Sequence, residues 1–106
     1  MKGLCDARGI GFLVAVLPRR DQVSGGHVGR AYNDRTLGIT QAYGISGLDL
    51  LPPLAAEYRV HGARLFIPWD GHNGAEANRV IATEIANAVP TLITARASGP
   101  APTIAR

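Results

Sequence analysis

The chain of 106 residues has one cysteine, Cys5, so it forms no internal disulfide and no multi-cysteine zinc site. A lone cysteine fits a reducing compartment and acts most simply as a small hydrophobe. Aromatic residues make up only 6%, so any core is built from Ala, Val, Leu and Ile. No stretch approaches the ~20 consecutive apolar residues of a membrane span. No run of like charge occurs either. The net charge is +3, and ten of the eleven basic residues are scattered arginines, with Arg19-Arg20 the only adjacent pair. Without basic clustering or interleaved aromatics, the pattern argues against nucleic acid as the partner.

What is present is a globular balance: 46% hydrophobic and 18% charged residues, with 13 glycines and 7 prolines to supply loops. The length allows one small domain. The run Ile10 to Leu17, IGFLVAVL, predicts a strand buried on both faces, hence a central strand with neighbours on each side; Pro18 ends it. Its position after Met1-Lys2 gives a faint signal-peptide pattern. Asp6 and Arg8 ahead of the short apolar run, and Arg19-Arg20 behind it, favour a strand. Arg19 to Gly29 reads as a loop.

Residues 30–43 carry Ala31, Tyr32, Thr36, Ile39 and Tyr43 near helical spacing, with Gly44 as the stop. Ile45 to Leu50 is a second strand. Pro52-Pro53 open a helix that runs to about Val60 and ends at Gly62. A short extended piece, Arg64 to Ile67, precedes the loop Pro68 to Asn73. From Ala75 the positions Ala77, Ile81, Ile85, Ala88 and Val89 form one apolar stripe, with Asn73 and Glu76 placed for a capping box and Pro90 as terminator. Residues 94–106 are expected to form a flexible tail after a domain spanning 1–93. Alternating strands and helices predict an α/β fold with a short parallel sheet.

The residues most suited to chemistry are Asp70 and His72, two apart on a loop that opens a helix. A carboxylate beside an imidazole fixes its tautomer and raises its basicity, which is what a general base for a hydroxyl nucleophile needs. The plainer alternative is a turn with a helix cap and a solvated histidine. His27 and His61 read as surface residues, and the three histidines lack zinc-ligand spacing.

Asp70-Gly71-His72-Asn73, followed by Ala77-Asn78-Arg79-Val80-Ile81-Ala82, resembles the last motif block of the SGNH/GDSL hydrolase superfamily. Phe12 to Val23 is similar to the strand-Pro-Arg segment before that family's penultimate helix. Tyr43 to Tyr58 is similar to its strand ending in Asp-Leu and its proline-started helix. The likeness covers roughly Ile10 to Val89. It implies part of a flavodoxin-like three-layer α/β/α sandwich and an esterase or acyl-ester hydrolase without cofactor or metal. It further implies His72 as base, Asp70 as its orienter and Asp49 as a structural strand-end residue. The family usually sets two residues between Asp and His; here there is one, Gly71.

The family's Gly-Asp-Ser nucleophile block and its oxyanion blocks have no counterpart here. Tyr32-Asn33-Asp34 matches the Asn-Asp pair in letters only. Of Ser24, Ser46 and Ser98, only Ser24 lies in a loop able to approach His72, and it lacks a strained strand-to-helix elbow. The expectation is therefore the C-terminal half of such a hydrolase, inactive alone. Its substrate would be an acyl or acetyl ester of a carbohydrate or lipid, and its partner a separate N-terminal half or a second copy. The alternatives are a non-catalytic α/β binding or dimerisation module, and, less favoured, an anion or nucleic-acid binder using Arg19, Arg20, Arg30 and Arg35.

Overall fold

The structure, a computed structural model, describes residues 1–26, 29–98 and 103–105. Its elements are α1 (Lys2–Ala7), β1 (Leu13–Val16), α2 (Arg20–Val23), α3 (Ala31–Ala42), β2 (Ser46–Asp49), α4 (Leu51–His61), a 3-10 turn (Gly62–Leu65), α5 (Ala75–Ser98) and β3 (Thr103–Ala105). The strands form a parallel sheet in the order β1-β2-β3. This is the expected mixed α/β class with a short parallel sheet.

The central strand is β2, not β1. All four residues of β2 are buried. Among the described residues β1 has one neighbour, in the register Leu13 to Ser46 through Val16 to Asp49. Only Val16 of β1 is buried; Phe12 to Ala15 are half-buried and Ile10 and Leu17 are exposed. The run that reads as doubly covered thus lies at a sheet edge. Apolar composition reports how much cover a strand suits, not whether a neighbour is in place.

α3 packs on one face of β2. A Cβ on Gly47 would lie 2.8 Å from Thr40 Oγ1 and 2.9 Å from Leu37 Cδ2, so only glycine admits the helix this closely. The buried stripe of α3 is Asn33, Leu37 and Thr40. This corrects the expected stripe: Tyr32, Ile39 and Tyr43 are exposed. Close approach to Gly47 selects small and mid-sized groups over bulkier aromatics. The helix ends as expected at Gly44 (φ +66°), with Ile45 N–H donating to the Thr40 carbonyl and Gly44 N–H to that of Gln41.

The next residue, Leu48, points to the opposite face and joins the main core with Val23, Leu50, Leu51, Leu54, Leu65, Phe66, Ala77, Val80 and Ala88. Leu48, Leu50, Leu54 and Leu65 are each at most 1% exposed. Full burial of one such side chain contributes roughly 1.5–3 kcal/mol.

Three other local expectations change. Arg19 to Gly29 is not wholly loop: the Arg19 N–H donates to Gln22 Oε1 at 2.8 Å, starting α2 and setting Val23 into the core. Arg64 and Leu65 lie in the 3-10 turn rather than in extended chain, because Gly62 (φ +59°) redirects the backbone and buries Leu65. α5 continues past Pro90 to Ser98. A helical proline costs about 3 kcal/mol through its missing donor and its clash one turn back, but Ala86, whose carbonyl that donor would have met, is exposed, so water can take it up. Within the expected 94–106 tail, residues to Ser98 are helical and Thr103–Ala105 pairs with β2.

Candidate active site

Asp70 and His72 sit on a loop whose base is closed by backbone bonds. Ile67 N–H donates to the His72 carbonyl at 2.8 Å, and Gly74 N–H to the Leu65 carbonyl at 2.9 Å. Phe66 and Asn73 form an antiparallel bridge between them. Leu65 and Phe66 are buried, so the loop stands on the core. Its tip turns through Trp69 (φ +68°) and Gly71 (φ +82°). Gly71 adopts this conformation freely, whereas a tryptophan there is strained. Gly74, rather than Asn73, directly precedes α5, and the Glu76 carboxylate accepts from Arg79 instead of closing a capping box.

The turn brings the two expected site residues together. Asp70 Oδ1 contacts His72 Nδ1. The hydrogen bond to His72 is the main cause that holds the Asp70 carboxyl below its ordinary value of 3.8. With Asp70 accepting, the imidazole proton belongs on Nδ1. Nε2 then keeps its lone pair and meets no other described residue. The His72 side chain is 81% exposed, so Nε2 is open to an incoming hydroxyl. One intervening residue, Gly71, is enough for the contact because its positive φ folds the chain back.

Among the described residues, no serine hydroxyl is hydrogen-bonded to His72. Ser24 Oγ donates to the Asp21 carbonyl at 3.3 Å and lines a hollow that also reaches Gly71. Ser46 is fully buried in β2. Ser98 ends α5. Asn33 is also fully buried, with its Oδ1 accepting from Gln22 Nε2 at 2.7 Å, so it serves packing rather than an accessible oxyanion site. Asp49 takes a structural part: it accepts from the Leu51 N–H at 3.1 Å and pairs with Arg30 at 2.6 Å.

His27 lies outside the described residues. His61 is not a free surface residue; its Nε2 lies 3.0 Å from Glu57 Oε1. Glu57, His61 and Glu76 offer ligand atoms within 4.8 Å of one another, a cluster foreshadowed only by the i,i+4 spacing of Glu57 and His61. Arg79 already spans it, 3.1 Å from Glu57 Oε1 and 2.9 Å from Glu76 Oε2. A cation there would compete with the guanidinium, so the cluster is a clasp between α4 and α5.

Beside the Asp70–His72 pair runs a groove of about 590 Å³, walled by Arg20, Arg64, Phe66, Pro68 and Trp69. The single tryptophan next to Asp70 was its one sequence signal; the approach of Arg20 comes from the distant helix α2, after β1. Comparison with protein-family models, with curated proteins and with solved structures finds no significant match to this chain.

Proposed function

We propose that this chain carries the base-bearing C-terminal half of an SGNH/GDSL-type serine ester hydrolase on a flavodoxin-like frame. The supporting observation is the contact of Asp70 Oδ1 with His72 Nδ1 on an exposed loop ahead of a helix, with Nε2 open. In this reading His72 Nε2 takes the proton of a serine hydroxyl as the oxygen attacks the ester carbonyl. It then gives that proton to the departing alkoxide. Asp70 holds the ring and stabilises the imidazolium. Water repeats the sequence on the acyl-enzyme, again through His72. The serine and the oxyanion donors come from a complementing segment that extends the sheet along the open edge of β1. The half-exposed apolar run there favours such a neighbour.

The test is hydrolysis of 4-nitrophenyl acetate by the chain alone and by the chain co-expressed with a neighbouring-encoded segment that bears a Gly-Asp-Ser block. The chain alone should match its His72→Ala variant. The complemented pair should hydrolyse the ester and lose at least about 10³-fold in kcat with His72→Ala, the scale expected for a triad base. Complementation that His72→Ala leaves unchanged removes the reading. The same open β1 edge favours a second reading, a non-catalytic module that dimerises there. A concentration-dependent mass doubling, with no esterase activity in the complemented pair, selects it.

A further inference from the structure

The groove beside Trp69 has features of its own. Arg20 enters it with its guanidinium 5.6 Å from the Phe66 ring centroid, and Arg64 lines it with Nε 3.4 Å from the His61 carbonyl. Neither arginine pairs with a carboxylate among the described residues, although Arg19, Arg30 and Arg79 all do. The acidic group facing the groove, Asp70, is engaged by His72. Asp21 in the adjoining hollow is engaged by Arg19. Two arginines without a carboxylate partner among the described residues therefore line the groove, together with one ionised carboxylate, Asp70. Pro68 and Trp69 line it as well, and Trp69 is fully exposed and held at a strained positive φ. Covering that ring with a ligand would take apolar surface out of water, which no contact in the folded chain does. The volume is in the range of small-molecule sites.

We infer that this groove binds a ring-bearing anion, with the ring on Trp69 and the anionic group on Arg20 and Arg64. Arginine suits a phosphate or carboxylate because its planar fork donates two parallel hydrogen bonds. An aromatic ring or the C–H face of a sugar would serve equally as the ring. The inference rests on the proposed hydrolase only in naming this ligand as part of an ester substrate.

Trp69 is the sole tryptophan, so its fluorescence reads the groove directly. Phenyl phosphate and glucose 1-phosphate are titrated against the full chain, with inorganic phosphate and glucose as anion-only and ring-only controls. At least one ring phosphate should shift the emission to shorter wavelength saturably. The tighter of the two identifies the ring. Arg20→Gln and Arg64→Gln should each raise half-saturation about tenfold, as loss of a charge-assisted bond does. Both arginines are exposed, and circular dichroism checks that the variants fold. An equal shift with inorganic phosphate or glucose, no shift with either ring phosphate, or unchanged half-saturation in both arginine variants overturns the inference. Binding needs no turnover. A groove that binds in a complemented protein that does not hydrolyse esters would sink the hydrolase and leave the groove. Hydrolysis without ring-phosphate binding would do the reverse.

Discussion

Arg30, just before α3, reaches across to Asp49 at the end of β2, its Nη2 lying 2.6 Å from the buried Oδ2. The other oxygen of the same carboxylate accepts the Leu51 N–H that opens α4. One buried group therefore ties the central strand to the helices that precede and follow it. Asp49→Ala removes the ion pair and strands a buried backbone donor. It should lower stability by about 2–3 kcal/mol, the scale for an unpaired buried group plus a partly exposed charge partner. Asp49→Asn keeps an acceptor for Leu51 and should cost less. Urea midpoints at constant slope measure both; equal costs would contradict the capping role.

The contact between α3 and β2 depends on the missing side chain at Gly47. Gly47→Ala places a methyl 2.8 Å from Thr40 Oγ1 and 2.9 Å from Leu37 Cδ2. Overpacking of this kind costs about 1–3 kcal/mol. Leu37→Ala in the same chain clears the second of these contacts, so the double variant should be more stable than the sum of the two single losses allows. Additive losses in thermal or urea unfolding would show that the helix does not dock there.

For Asp70 the expected result is a titration. Its folded carboxyl is held below the ordinary 3.8 by His72. The contact thus contributes fully above the unfolded value and is lost as pH falls through the lower folded value. Carboxyl-carbon NMR should give a midpoint below 3.8, and His72→Ala should return it to the ordinary range. An unchanged midpoint in the variant would mean that the two side chains do not meet in solution.

Trp69 separates stability from binding. The side chain is fully exposed and its backbone lies at φ +68°. Trp69→Gly loses no buried surface and relieves a left-handed conformation worth about 1 kcal/mol, offset in part by the greater freedom of glycine in the unfolded chain. The melting temperature should stay level or rise slightly, while the ring-phosphate affinity of the groove falls. A clear drop in melting temperature would show that the indole packs against the protein.

Elements with local signals were legible in the chain alone. β2 lies between a glycine-stopped helix and a proline-started one, and each of those boundaries is written in one or two residues, Gly44 and Pro52-Pro53. The placement of Asp70 and His72 on a loop before a helix was legible for the same reason. Tertiary structure decided the rest. β1 is an edge strand because the described chain places only β2 beside it, however apolar Ile10 to Leu17 is. α3 turns Leu37 and Thr40 inward because a bare backbone at Gly47 lets it come close, and a period of residues does not reveal which face meets a glycine. α5 outruns Pro90 because exposure there makes a freed carbonyl affordable. The meeting of Asp70 with His72 required two positive φ values and a loop base pinned to Leu65. The meeting of Arg20 with Phe66 joins segments more than forty residues apart, a distance in sequence that only folding brings to 5.6 Å.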